Sequence, residues 1–335
     1  MTTHRLISRR RVLGGGAATA AVLAAPGPGQ GALAQGTWPD RPIRVIIPYP
    51  GGGSTDVLSR FLAEQFKEKF GQPFVIENRP GAGGNIGIDA VAKSAPDGYT
   101  IGAATIGHFA INQFLYAKMP FDPERDIIAV SLTWELPNVF VVPSQYVPAK
   151  TIAEFLAWAK TQNQVTYGSP GVGTSPHLSA ALFSTRNNLK AVHVPFRGAA
   201  QTIPAMLAGD VQFAIDNLTS YTSIIQSGQM RALAVTASER FPSFPDVPTM
   251  AEAGMPDFVV TSWAAFVVPA GTPRAIIDRL AAAQKEAAAD PAMRQRFLTA
   301  GAKILSSTPE GAREFADKER AMWKEVVRIS GAKAE

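Results

Sequence analysis

The 335-residue chain contains no cysteine. That excludes disulfides, thiolate zinc sites, a cysteine nucleophile and a lipid carried on an N-terminal cysteine. Histidine is scarce too. Beyond the first few residues only His108, His177 and His193 occur, and no His-x-x-x-His or similar spacing joins them. Neither a metal site nor a cofactor is expected. Past the N-terminal segment there is no run of ~20 uninterrupted apolar residues, the length a membrane helix needs. An excess of positive charge on the folded part is also missing. The formal net charge is +5, but residues 1–34 carry Arg5, Arg9, Arg10 and Arg11 and no acid, and 28 basic residues then face 27 acidic ones. A nucleic-acid binder concentrates basic charge on its folded surface, so nucleic acid is not an expected partner. Three catalytic signatures are absent as well. No Walker A loop and no Gly-x-Ser-x-Gly elbow occurs. Gly81-Ala82-Gly83-Gly84-Asn85-Ile86-Gly87 misses the dinucleotide fingerprint by one position and follows Arg79-Pro80.

What is present begins with an address. Ser8-Arg9-Arg10-Arg11-Val12-Leu13 opens a small-residue apolar run over residues 12–25, and Ala32-Leu33-Ala34 precedes Gln35 as an A-x-A cleavage signal. Residues 1–34 therefore read as an export signal. The paired arginines resemble the twin-arginine type, and an ordinary secretory signal is the alternative. The expected product is soluble and periplasmic.

Over the whole chain, 46% hydrophobic and 18% charged residues give the balance of a folded globular protein. Ile43-Arg44-Val45-Ile46-Ile47 is a β-branched run that stops at Pro48 and reads as a buried strand. Val57, Leu58, Phe61, Leu62, Phe66 and Phe70 recur at helical spacing and Gly71 stops them. Phe74-Val75-Ile76 and Thr100 to Ala104 read as further strands, with a helix near residues 87–94. Residues 139–142 read as a strand leaving this unit, 151–162 as an amphipathic helix, and a second strand-helix series begins at Val165. Helices are expected near 273–289 and 310–329. Alternating strand and helix is the pattern of an α/β chain with parallel sheets covered on both faces.

Two loops repeat. Pro50-Gly51-Gly52-Gly53-Ser54-Thr55 and Pro170-Gly171-Val172-Gly173-Thr174-Ser175 each follow a predicted strand and open a predicted helix. A helix start offers unpaired N–H groups and about half a positive charge. Glycine lets a ligand approach the backbone, and hydroxyls add donors, so such a turn holds a carboxylate or phosphate without Arg or Lys. Each loop alone is equally a tight turn with an N-cap; as a pair they point to one anion gripped from two sides. His177 begins the second helix as either a ligand neighbour or a packed residue. Asp216-Asn217 ends the apolar run 211–215, either lining a cleft or capping the next helix. Trp263 beside Ser262 is the better placed of two aromatics, with Tyr221, to shape that cleft. A rival reading makes Ser54 or Ser175 the nucleophile of an exported hydrolase with His177 as base, although no orienting acid is evident. A ligand sensor with a signalling partner would share the binding chemistry.

Tyr49-Pro50-Gly51-Gly52-Gly53-Ser54-Thr55-Asp56 resembles the first signature of the substrate-binding proteins of tripartite tricarboxylate transporters, the Bug family. Glu77-Asn78-Arg79-Pro80-Gly81-Ala82-Gly83-Gly84-Asn85-Ile86-Gly87 is similar to the second. Pro96-Asp97-Gly98-Tyr99-Thr100, the stretch Tyr167 to His177, Val194-Pro195-Phe196-Arg197-Gly198, Gly228 to Ala234 and Asp246-Val247-Pro248-Thr249 match further blocks. The resemblance spans about residues 38–330. It implies a two-lobed periplasmic-binding-protein fold of the Venus-flytrap kind, with mixed, mostly parallel sheets flanked by helices. Lobe 1 would be discontinuous, residues 38–138 and 261–335, and lobe 2 would be 139–260. It also implies a monomer that hands a small carboxylate to membrane transporter subunits without catalysis. Carried onto this chain, the ligand contacts would be Gly53, Ser54, Thr55 and Asp56 on one side and Ser169, Gly173, Thr174, Ser175 and His177 on the other. Ala104, Thr105, Gly198, Ala199, Asp216 and Asn217 would face the same cleft. Ile106, His108 and Phe109 fall where such proteins vary with their ligand; a di- or tricarboxylate, an amino acid or an aromatic acid is expected.

Overall fold

The computed structural model describes residues 38–334; the export signal expected over 1–34 lies outside the described residues. The first strand, β1 (Ile43–Ile47), is buried on both faces. It leads through a glycine turn into α1 (Ser54–Phe70), which turns Leu58, Leu62 and Phe66 inward. Gly71 ends α1 at φ +68°, with its N–H on Lys67 O, the left-handed stop that glycine permits without strain. β2 (Phe74–Asn78), α2 (Asn85–Ala92) and β3 (Thr100–Thr105) follow, and β1 pairs in parallel with both β2 and β3. After β3 the chain makes a π-helical turn, Gly107–Ile111, and a short α3 (Asn112–Leu115).

β4 (Ile127–Pro143) is a single strand of 17 residues, where the sequence suggested only its last part. Beyond it lie α4 (Ile152–Thr161), β5 (Val165–Ser169), α5 (Ser175–Arg186), β6 (Ala191–Pro195), α6 (Ala199–Leu207), β7 (Ala214–Asn217), α7 (Leu218–Gln226) and β8 (Met230–Val235). The chain then returns through β9 (Thr261–Pro269), α8 (Arg274–Ala289), α9 (Pro291–Thr299), β10 (Lys303–Ile304) and α10 (Pro309–Ser330).

The ladder β2-β1-β3-β9-β4-β10 forms one half of the fold. Residues 127–137 of β4 lie antiparallel to β9. From Asn138 onward β4 changes partners and runs antiparallel to β7 on one side and β8 on the other. β5 and β6 pair in parallel, and a bridge from Tyr167 to Phe213 extends that pair toward β7. The parallel pairing read from the alternation holds for β1–β3 and for β5–β6. The antiparallel ladders arise where the returning β9 pairs with β3 and β4, and where β4 continues beyond Asn138 into the second lobe between β7 and β8. The second lobe is centred on fully buried Phe140, whose ring stacks on Phe213 and meets Phe155 and Phe183 edge-on.

Candidate functional site

Four helix N-termini converge on one cleft. Gly53, Ser54 and Thr55 of α1, Thr174, Ser175 and Pro176 of α5, Gly198, Ala199 and Ala200 of α6, and Asn217 and Ser220 of α7 all line it. The sequence repeat pointed to the first two ends; α6 and α7 bring two more. Gly53 and Gly198, the caps of α1 and α6, have no side chain to satisfy the backbone donors. These two ends therefore present amides rather than capping oxygens, the arrangement that favours an anion.

A chain of neutral hydrogen bonds ties the walls together. Asn217 Nδ2 donates to Ser54 Oγ at 2.8 Å, and Asn217 Oδ1 accepts from Ser262 Oγ at 2.7 Å. Ser262 Oγ is also bonded to Ser175 Oγ and lies 3.2 Å from Asn138 Oδ1. Ser54 N–H donates to Ser220 Oγ at 3.0 Å. Strands β4 and β9 thus share one network with helices α1, α5 and α7.

The remaining wall is apolar: Ile106, Trp134, Leu136, Trp263 and three prolines, Pro50, Pro170 and Pro176. Trp263 is fixed from behind. Its indole N–H donates to Glu319 Oε2 at 3.1 Å, its ring stacks on Phe109 at 5.5 Å, and Phe315 meets it edge-on. Burial pushes the Glu319 carboxyl up, partly offset by the indole donors of Trp263 and Trp323. The cleft has a volume of about 650 Å³, part of it open to solvent. Such a mix of apolar wall and few convergent polar groups suits a small-molecule site.

Ten of the fifteen residues read from the sequence line this cleft: Gly53, Ser54, Thr55, Thr105, Thr174, Ser175, Gly198, Ala199, Asp216 and Asn217. Thr105 is set by its neighbours. Its N–H donates to His108 Nδ1 at 2.9 Å, and its hydroxyl bonds to the Tyr49 hydroxyl at 3.0 Å. Burial holds His108 neutral, lowering it to about 4. Asp216 is the one acid in the cleft wall. Burial lifts its carboxyl to about 7, against the pull of Asn217 N–H and the Tyr221 hydroxyl.

The other five residues sit behind the lining. Asp56 turns away: its carboxylate accepts Gly52 N–H, Asn78 Nδ2 and two bonds from Arg60, each at 3.0 Å. Burial raises it, but these donors outweigh burial and hold it below the usual carboxylate range. It anchors the first glycine loop. Ala104 is packed inside β3. Ser169 Oγ bonds to His193 Nε2 at 2.7 Å and accepts Gly171 N–H, bracing the second loop. Gly173, at φ +86°, stands against Asn112, and a Cβ there would strike Asn112 Oδ1. His177 stacks on His193, ring centres 4.1 Å apart, and His193 stacks in turn on Tyr167. Burial lowers His177 to about 4 and His193 to about 3. No imidazole pairs with Ser54 or Ser175 among the described residues, so the base of the hydrolase reading has no seat next to either hydroxyl.

Several lining residues went unread in the sequence, chiefly Tyr49, Trp134, Leu136, Ala200 and Ser220. Ser220 had a visible signal, since it stands three residues into the helix that Asn217 caps. Trp134 and Leu136 had none, because their face depends on how β4 crosses the lobes.

Thr174 does more than line the cleft. As N-cap of α5 its Oγ1 accepts His177 N–H, and it donates to Gly171 O at 2.7 Å. Thr174→Val should therefore lower stability by about 1 kcal/mol as well as weaken ligand binding, whereas Thr174→Ser should keep both. Urea unfolding of the two variants checks this, and a valine variant as stable as the wild type would contradict it.

Comparison with known proteins places this geometry. Residues 58–331 match the family described as "Tripartite tricarboxylate transporter family receptor". The chain is 37% identical to protein BugT of Bordetella pertussis, across 89% of this chain and 91% of that protein. Among solved structures it is similar to R. palustris Rpa4515 with adipate, at TM-score 0.86 and 32% identity, over 89% of this chain and all of that one. It is also similar to MatC from Rhodopseudomonas palustris with bound malate, at TM-score 0.81 and 30% identity, over 87% of this chain and all of that one.

Proposed function

The chain belongs to the tripartite tricarboxylate transporter receptor family, a family of solute-binding proteins, and on that premise we propose that it captures a small organic carboxylate outside the cytoplasmic membrane for uptake by a transporter of that type. The observation that carries the reading is the convergence of four helix N-termini, three without a side-chain capping bond, on one cleft with no Lys or Arg in its lining. Oriented amides and helix dipoles hold a carboxylate there, and the ligand's body lies against Ile106, Trp134, Leu136 and Trp263. The carboxylates named with two similar structures, adipate and malate, support the ligand class.

In this reading lobe 1 comprises residues 38–138 and 261–335, and lobe 2 comprises 139–260. The partner change of β4 at Asn138 supports that boundary. The ligand stabilises closure because one molecule touches both lobes. The receptor works as a monomer in the periplasm after its export signal is removed. No helix of the described residues is long and apolar enough to cross a membrane, in keeping with that location. Residues that line the cleft contact the ligand, and Asp56, Ala104, Ser169, Gly173 and His177 support them from behind.

A thermal-shift screen against di- and tricarboxylates, acidic amino acids and aromatic acids tests the reading. A true ligand at 100 times its dissociation constant should add about 2.7 kcal/mol of stability. Failure of every acid in the panel to shift the melting transition would defeat the proposal.

A further inference from the structure

The cleft that receives an anion carries a carboxyl group of its own. Asp216, at the end of β7, is 1% exposed and lines the cavity. Its Oδ1 accepts Asn217 N–H at 2.7 Å and its Oδ2 accepts the Tyr221 hydroxyl at 3.2 Å. Both donors are neutral, and no cation stands among the influences on this carboxyl.

The surrounding elements supply no counter-charge. On α7 the titratable neighbour is Tyr221, itself fully buried and held protonated. On β4 the strand partner is Val139, with Asn138 beside it, and β8 places Val235 opposite the same Val139. α5 packs on β7; its His177 is stacked on His193 of β6, where burial keeps both rings neutral, and its Arg186, in the last turn, is turned to Asp257 O and the Phe258 ring. Across the cleft, the Arg60 guanidinium of α1 is closed on Asp56.

An ionised Asp216 would thus oppose the ligand it helps to enclose, since two like charges in one water-poor cavity repel strongly. A carboxylic acid does the opposite, offering an O–H donor to the incoming carboxylate. We propose that Asp216 enters the complex as the neutral acid, so that each carboxylate anion captured is bound together with one proton. This rests on the carboxylate reading above and deepens it. The site selects for acids that arrive as anions and bring no cation of their own. Burial already lifts the Asp216 carboxyl to about 7 in the free protein, and a bound anion lifts it further. The sign follows: affinity is flat well below pH 7 and falls toward a limit of about tenfold per pH unit above it, or about 50-fold between pH 7 and 9.

The test is calorimetric titration of the exported protein with adipate, malate and benzoate at pH 7.5. It is run in two buffers of different ionisation enthalpy and repeated from pH 6 to 9. Expected is net proton uptake approaching one per ligand bound, with the pH slope above. In Asp216→Asn both the uptake and the slope should vanish, whatever the variant's absolute affinity. Binding without uptake, binding with proton release, or uptake that persists in Asp216→Asn would each overturn the proposal, the last assigning the proton to another group such as His177. If Asp216→Asn does not fold, the wild-type proton count and slope decide alone. If none of the three acids binds, the acid found in the thermal-shift screen takes their place; if no acid of that panel binds, the carboxylate reading itself fails and this inference falls with it.

Discussion

Asn217→Leu should weaken carboxylate binding by about 100-fold while changing the stability of the free protein by less than about 1 kcal/mol. The side chain bridges α1 and β9 through its bonds to Ser54 Oγ and Ser262 Oγ, at 2.8 and 2.7 Å. Leucine is close in size and makes neither bond. In the closed form two buried hydroxyls would then lose a partner, at about 1–3 kcal/mol each; about 1.4 kcal/mol apiece, near the low end of that range, gives the hundredfold loss at about 1.4 kcal/mol per tenfold. With the lobes apart, water replaces both partners, so the penalty falls on closure and is read as affinity. The cap of α7 does not suffer, because Asn217 caps it without a side-chain bond and at φ −56°, which leucine adopts freely. Its backbone N–H still serves Asp216. Calorimetry with whichever acid the screen identifies checks the value. An affinity within about threefold of the wild type would mean that the bridge has no part in closure.

The parts of this site that were legible in the sequence are those whose geometry is local. A glycine turn followed by Ser or Thr and then an apolar periodic run specifies a helix start by itself, so Ser54, Thr55, Thr174 and Ser175 were found at the cleft. Asp56 turns away from the cleft, and a signal for that was available. Arg60 stands four residues on, the spacing at which opposite charges on a helix meet, and the pair forms. His177 was beyond reach, because its stacking on His193 exists only once β5 and β6 have paired and brought their loops together. The long strand β4 was read as its last few residues because Glu135 and Pro137 interrupt the apolar pattern. In the fold Pro137 falls one residue before β4 changes partners, a place where a strand tolerates proline. Trp134 and Leu136 reach the cleft through that same crossing and through two register shifts against β9. No window of sequence contains that information, since it is a property of two strands 130 residues apart crossing together.

The same crossing strand carries the core of the second lobe, and Phe140→Ala should destabilise the protein by about 3–5 kcal/mol. Phe140 is fully buried. Its ring is parallel to Phe213 within 8°, with centres 5.3 Å apart, and meets Phe155 and Phe183 edge-on, each at 4.9 Å. These contacts join β4 to α4, α5 and the segment entering β7, so an alanine leaves a cavity bounded by three other rings on separate elements. Aromatic rings held on different elements cannot all move inward together, so the cavity term adds to the lost transfer energy instead of relaxing away. Phe140→Leu, which refills most of the space, should cost well under half as much. Urea unfolding of both variants provides the measurement. A loss below about 1 kcal/mol for the alanine variant would show that the four-ring cluster can collapse, and that the second lobe is held instead by its β4–β7 and β4–β8 ladders. Because none of the four rings lines the cleft, ligand affinity measured where the alanine variant remains folded should stay close to that of the wild type, which separates a loss of stability in this lobe from a loss of recognition.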